Sequence, residues 1–256
     1  MSHHDLIHQQ FSLQAVPFSE ARSMSDADAI DLLIGASGAQ AHHRSLDVAC
    51  GPGMVALQFA KIVQRAVGLD TTQAMLDRAK VLQQRQLCSN VEWVLGEAAN
   101  LPFPDASFDV VTCRFAFHHM LQPAAALQEM IRVARPGAMI VICDGIASSD
   151  SVKADAFNAF ERMRDPSTVR FLRADELRSL LNQEGLAIAS EQSYRVPAEL
   201  EGLLRTSFPR PEDVPTLRAI MIASAHDDRL GLATKADGDR VLFSYPALIL
   251  SARRAN

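Results

Sequence analysis

Along the first 145 positions, apolar residues come in short bursts. Between the bursts they recur every three or four residues. Ser45-Leu46-Asp47-Val48-Ala49-Cys50 is one burst; it meets Gly51-Pro52-Gly53, and a helical face of Val55, Leu57, Phe59, Ala60 and Val63 follows. Ala66-Val67-Gly68-Leu69-Asp70 is the next. Thr72 is then placed to cap a helix reaching about position 84, with Met75, Leu76, Ala79 and Leu82 on one side. Three more bursts lie at 91–95, 108–113 and 139–143. Pro123 opens a helix carrying Leu127, Met130, Ile131 and Ala134, and Arg135-Pro136-Gly137 turns the chain into the fifth run. Runs apolar on both faces, alternating with amphipathic helices, predict an α/β fold: a Rossmann-like doubly wound sheet of about seven mostly parallel strands.

The second half is less regular. Helices are predicted at 152–164, stopped by Asp165-Pro166, and at 174–184, stopped by Gly185. A strand is predicted at 187–193, helices at 196–207 and 211–225, a turn-rich loop at 227–239, and a weakly alternating, antiparallel last strand at 241–252. The stretches 145–171 and 194–238 break the rhythm and read as helical caps on a single domain, 1–256, rather than as a second domain.

Charge and cysteine content narrow the classes. A net charge of -5 and a pI near 5.9 argue against a nucleic-acid binder working through bulk charge. The four cysteines form no CxxC pair and read as buried free thiols of a reducing compartment. The start of the chain shows no secretory pattern, and no apolar run is long enough to span a membrane, so a cytoplasmic protein is expected. Histidines, acids and cysteines show no metal spacing, so no metal is expected. A homodimer is left open.

The turn Asp47-Val48-Ala49-Cys50-Gly51-Pro52-Gly53 lies where a strand meets a helix. Backbone N–H groups converge there, and glycine allows a ligand to approach closely, although a plain tight turn has the same composition. Asp70 closes the following strand. A carboxylate at that place accepts from a ribose diol, or caps the next helix. Together the two elements point to a nucleoside ligand across the strand ends. The dinucleotide fingerprint Gly-x-Gly-x-x-Gly does not fit the glycine spacing.

Leu46-Asp47-Val48-Ala49-Cys50-Gly51-Pro52-Gly53 resembles motif I of the class I S-adenosylmethionine-dependent methyltransferases. Val67-Gly68-Leu69-Asp70 with Met75-Leu76, then Gly96 to Phe103, Ser107-Phe108-Asp109 and Arg132 to Gly137, follow in the family's order over roughly residues 45–144. A finer similarity, through Thr112 to His119, Arg164-Asp165-Pro166-Ser167 and Phe11 to Phe18, is to the small-molecule branch that includes the ubiquinone and menaquinone methylases. The first glycine of the family's turn is Ala49 here, and its methyl is expected to be tolerated with φ below zero.

The resemblance implies S-adenosylmethionine as cofactor and a small-molecule methyl acceptor, aromatic or quinone-like, methylated on O, N or C. The backbone around Ala49, Gly51 and Gly53 would hold the amino-acid end of the cofactor, and Asp47 would orient that turn or meet the ammonium through water. Asp70 would take the ribose. Thr71 and Met75 would flank the adenine, although Met75 also suits a plain core position. Glu97 would accept from the adenine amino group, although it also suits a plain solvated loop acid, and Ala98 would donate its N–H. Helices within 1–40 would form a lid, with Gln14 and Phe18 over the cofactor. The caps would enclose the acceptor, with Phe157, Phe160, Met163, Phe171, Leu203, Leu204, Phe208, Met221 and Phe243 as pocket or core.

Transfer from a sulfonium is an in-line displacement and needs no enzyme nucleophile. If the acceptor must lose a proton, His119 and then His118 are the candidate bases; both also suit structural roles. Arg114 would bind an anionic group or pair with an acid. Two other classes compete: a cofactor-binding, non-methylating partner or sensor protein, and a nicotinamide-dependent oxidoreductase.

Overall fold

The computed structural model describes residues 2–20 and 27–255. Five parallel strands come first: β1 (Arg44–Val48), β2 (Arg65–Asp70), β3 (Val91–Leu95), β4 (Phe108–Arg114) and β5 (Ala134–Gly145). Three antiparallel strands complete the sheet, β6 (Ala187–Glu199), β7 (Lys235–Asp237) and β8 (Arg240–Arg253). The order is β3-β2-β1-β4-β5-β8-β6, with the short β7 paired to β8. The chain therefore winds outward from β1 to β3 and returns on the other side of β1 through β4. That reversal opens a crevice at the carboxyl ends of β1 and β4.

Strands apolar on both faces need cover on both sides. On one side, α5 (Pro123–Val133) and α7 (Ala174–Gln183) press Leu127, Met130, Leu177 and Leu181 onto the sheet. On the other, α2 (Ala27–Ser37) and α3 (Met54–Phe59) supply Ile30, Leu33, Val55 and Phe59. Near the β3 edge lies α4 (Gln73–Gln86), preceded by Thr72 in the N-cap position but without a side-chain capping bond. A third core lies under α6 (Ser151–Arg164), α8 (Leu200–Ser207) and α9 (Val214–Asp227), around Phe157, Phe160, Leu217, Met221 and Phe243. The first helix, α1 (His3–Glu20), packs against α4 and α8.

Several expectations need revision. Residues 196–199, predicted as helix, continue β6, because Val196 to Glu199 pair with Tyr245 to Leu242 of β8. Pro197 is no obstacle: β6 is an edge strand, where a missing N–H costs no ladder bond. Helix α8 starts only at Leu200, where the Glu199 carboxylate accepts from the N–H groups of Glu201 and Gly202. The predicted turn at Arg135-Pro136-Gly137 is an irregular start of β5, and the loop at 227–239 contains β7. Of the two helices grouped as a lid, only α1 lies over the crevice. Helix α2 packs against β5 and β8, because Ile30 and Leu33 are buried in the sheet's own core. Within that stretch, residues 1 and 21–26 lie outside the described residues.

Candidate active site

The chain leaves both central strands by a left-handed turn. Ala49, after β1, has φ 54°, and Phe115, after β4, has φ 52°. Such a conformation costs an L-residue roughly 1–2 kcal/mol, and strain of this kind collects at functional sites. The condition under which the Ala49 methyl is expected to be tolerated, a negative φ, is thus not met: the turn has the shape glycine would give it, with a methyl added. Gly51 and Gly53 also have positive φ. Gly53 is fixed by packing, since a Cβ there would lie 2.3 Å from Cη2 of Trp93. It opens α3 and does not face the crevice, unlike its neighbours in the turn.

The crevice holds a cavity of about 380 Å³. Asp47, Ala49, Gly51, Asp70, Thr71 and Met75 line it from β1, β2 and α4. Glu97 and Ala98 line it from the loop after β3, Arg114 and His119 from the end of β4, and Phe18 from α1. Asp70 is buried. Its Oδ2 accepts from the Gly51 N–H at 2.8 Å and its Oδ1 from the Thr72 N–H at 2.8 Å, so it ties the β1 turn to the start of α4. Burial pushes its carboxyl up to about 6, against the lowering effect of those N–H groups. Asp47 lies deeper. Burial raises it to about 7, opposed by the Thr112 hydroxyl, which donates at 2.9 Å, and by the charge of Arg114. Glu97 faces open space, its side chain 64% exposed, with the His4 ring 3.5 Å away.

A second cavity, of about 140 Å³, adjoins the first and shares Phe11, Phe18, Phe115 and His119 with it. Gln14, expected over the cofactor, lines this smaller space instead and donates to Asp165 Oδ2 at 3.1 Å. The Ser167 hydroxyl donates to Asp165 Oδ1 at 2.5 Å. Its oxygen and its carbonyl each lie 3.1 Å from Nδ1 of His119. A carbonyl only accepts, so His119 carries its proton on Nδ1. Burial, and then the neighbouring His118, hold this imidazole well below its usual range. The His118 Nδ1 lies 2.6 Å from Oδ1 of Asp144, whose Oδ2 accepts the His118 backbone N–H at 3.0 Å. Phe171 stacks on the His118 ring at 4.0 Å. The wall nearest the caps is charged. Arg164 donates twice to Glu161, at 2.7 and 2.9 Å, and the Tyr245 hydroxyl donates to the same carboxylate at 2.8 Å.

Of the apolar cap residues, Phe171 and Leu203 line the smaller cavity, whereas Phe157, Phe160, Leu204, Met221 and Phe243 are buried in the cap core. Phe208 is exposed, and Met163 packs against that core. Sequence reasoning missed Asp144, Glu161, Tyr245 and the wall formed by Phe11 and Phe115. Asp144 left a signal, as an acid ending an otherwise apolar strand. Glu161 left none beyond its helical register with Arg164.

A protein-family model described as a methyltransferase domain matches residues 46–142. The chain is 32% identical to the uncharacterized methyltransferase YcgJ of Bacillus subtilis (strain 168) over 195 residues, 76% of this chain and 77% of that protein. The chain belongs to the S-adenosylmethionine-dependent methyltransferases. The solved YcgJ structure superposes with a TM-score of 0.83 at 27% identity, over 90% of this chain and 99% of that one. The ubiquinone/menaquinone biosynthesis C-methyltransferase UbiE of Pseudomonas putida is 28% identical over 195 residues, 75% of this chain and 68% of that protein.

The methyl donor of this methyltransferase is S-adenosylmethionine, and the larger cavity fits that molecule. Three acids face one cavity from three places: Asp47 deep inside, Asp70 at the end of β2, and Glu97 at the outer loop. They match a molecule with an ammonium, a ribose diol and an exocyclic amine. The Gly51 turn leaves room for it, since even an added Cβ would come no nearer than 3.9 Å to Met75 Sδ. Among the described residues, no helix is long and apolar enough to cross a membrane.

Proposed function

We propose that this methyltransferase methylates a small acceptor with a single planar ring, aromatic or quinone-like, seated in the smaller cavity. The observation that carries the reading is the pair of adjoining cavities with a shared aromatic wall. A space of roughly 150 Å³ holds a benzene ring, so about 140 Å³ suits one ring with small substituents. Phe11, Phe18, Phe115 and Phe171 offer ring faces, and the Arg164–Glu161–Tyr245 cluster offers a polar end. The named activity of UbiE supports a quinone-related acceptor.

When bound, S-adenosylmethionine supplies a methyl group made electrophilic by its sulfonium. The chain's own part is to hold and align. Asp70 takes the ribose hydroxyls while fixing the Gly51 turn, and Asp47 faces the ammonium. Met75 and Thr71 flank the adenine, with the Ala98 N–H and Glu97 at its edge. Arg114 balances Asp47, and Phe18 on α1 covers the site and excludes water. The test is release of S-adenosylhomocysteine by the purified chain offered single-ring phenols, quinols and amines. Turnover of a single-ring compound is expected. Turnover confined to acceptors too large for the smaller cavity would overturn this reading.

A further inference from the structure

Neither His118 nor Asp144 lines the larger cavity, and His118 lines the smaller one. We propose that His118, oriented by Asp144, is the base that takes a proton from an acceptor hydroxyl in the smaller cavity. This rests on the reading of that cavity as the acceptor site.

Asp144 ends β5 with both carboxylate oxygens engaged as acceptors. Oδ2 takes the His118 N–H, and Oδ1 takes the Gly145 N–H at 2.8 Å and the His118 ring at 2.6 Å. A carboxylate in that state only accepts, so His118 carries its proton on Nδ1, and Nε2 keeps a lone pair. The ring lines the smaller cavity, and Nε2 has no hydrogen-bond partner among the described residues. Phe171, stacked on the ring at 4.0 Å, fixes its plane.

The other groups facing the ring are already engaged. Glu161, Arg164 and Tyr245 bind one another across α6 and β8. Asp165 accepts from Ser167 and Gln14. His119, the adjacent candidate and equally buried, bonds through Nδ1 to neutral oxygens only. A proton on His118 meets a carboxylate at 2.6 Å; a proton on His119 meets none directly. In the step itself, the acceptor O–H bond breaks and its electron pair stays on oxygen. The Nε2 lone pair forms the new N–H bond, and the imidazolium passes its proton to water after product leaves. Asp144 is a positioning residue throughout.

The test uses the full chain saturated with S-adenosylhomocysteine and 4-nitrophenol as probe, whose visible absorbance separates phenol from phenolate. Bound probe is expected to show a phenolate-to-phenol ratio about tenfold above free probe at the same pH, the change made by one pK unit. His118→Asn should abolish that rise, Asp144→Asn should cut it, and His119→Asn should keep it. A rise lost in His119→Asn and kept in His118→Asn overturns the proposal, as does a probe that fails to bind or binds without ionising. Nitrogen NMR of the histidine rings gives a second reading: wild-type His118 should be protonated on Nδ1, and Asp144→Asn should mix the tautomers. A wild-type ring protonated on Nε2 also overturns it. Calorimetry with S-adenosylhomocysteine in the same samples keeps the two readings apart. Lost cofactor binding indicts the cofactor site; retained cofactor binding with no bound probe indicts the reading of the smaller cavity, and bound probe without ionisation indicts only the dyad.

Discussion

The two cavities are built by different means. The larger is set out by the backbone at strand ends: two left-handed turns leaving adjacent parallel strands, and a carboxylate at the end of β2 that accepts from the Gly51 N–H after β1 and the Thr72 N–H before α4. The smaller is made of side chains, drawn from α1, the turn after β4, α6 and β8, and joined by buried charges and rings. A backbone site is fixed by strand register and tolerates few changes of shape. A side-chain site can be altered residue by residue while the sheet stays intact. One fold can thus hold a constant methyl donor beside a variable acceptor.

The largest effect should come from the charged wall of the smaller cavity. Arg164 is buried between Glu161, at 2.7 Å, and Asp165, at 3.8 Å. Arg164→Met would leave two buried carboxylates without their shared counter-charge, so a loss of about 3–5 kcal/mol in unfolding free energy is expected. Urea unfolding measures it, and affinity for S-adenosylhomocysteine in the folded protein should hold. A loss below about 1 kcal/mol would mean the cluster does not organise this side of the molecule.

The backbone site can be broken from behind. In Gly53→Ala the new Cβ would meet the Trp93 ring at 2.3 Å, at φ +81°. Overpacking and a left-handed alanine together should cost about 2–4 kcal/mol. Asp70→Ala comes next: removing the carboxylate that ties Gly51 to Thr72 should weaken S-adenosylhomocysteine binding by about 1–3 kcal/mol in calorimetry. Unchanged affinity would displace the cofactor from the end of β2. Ala49→Gly, four residues from Gly53, should act in the opposite direction. Relief of φ 54° is expected to stabilise the fold by up to about 1 kcal/mol. A destabilised variant would show that the Ala49 methyl makes packing contacts worth more than the strain.

The same contrast explains what was legible in the sequence. The parallel half of the sheet was, because each strand is a short apolar run and each crossover an amphipathic helix. Asp47, Ala49, Gly51 and Asp70 could be placed at the crevice because strand-end position follows from local pattern. Gly53 was legible as a turn residue only, because its constraint is Trp93, 40 positions along the chain and close only through the pairing of β2 with β3. Residues 196–199 looked helical because edge-strand pairing with β8 is non-local. The partner of His118 is likewise set by β4 and β5 lying side by side, which places Asp144 beside a turn 26 residues earlier. Side-chain networks across the caps leave little periodic trace.

The finest discrimination between the two cavities is a proton count. Burial raises Asp47 to about 7 and Asp70 to about 6, both from an ordinary 3.8. The stability each contributes is fully present below pH 3.8, where folded and unfolded chains are both protonated, and it is lost as pH rises through 6 and 7. His119 runs the other way. Its depressed imidazole gives stability present above 6.5 and lost as pH falls. In the proposed cofactor placement only the carboxylates face the ammonium and ribose, and both of those groups favour the ionised acid. Binding S-adenosylhomocysteine at about pH 6 should therefore release roughly one proton, and at about pH 8 almost none. Calorimetry in two buffers of different ionisation heat reads that number. Asp47→Asn should remove most of it, because Asp47 is the acid raised further. Proton-neutral binding at pH 6 would mean that neither acid is neutral before the cofactor arrives, and that the larger cavity is wetter than its burial implies.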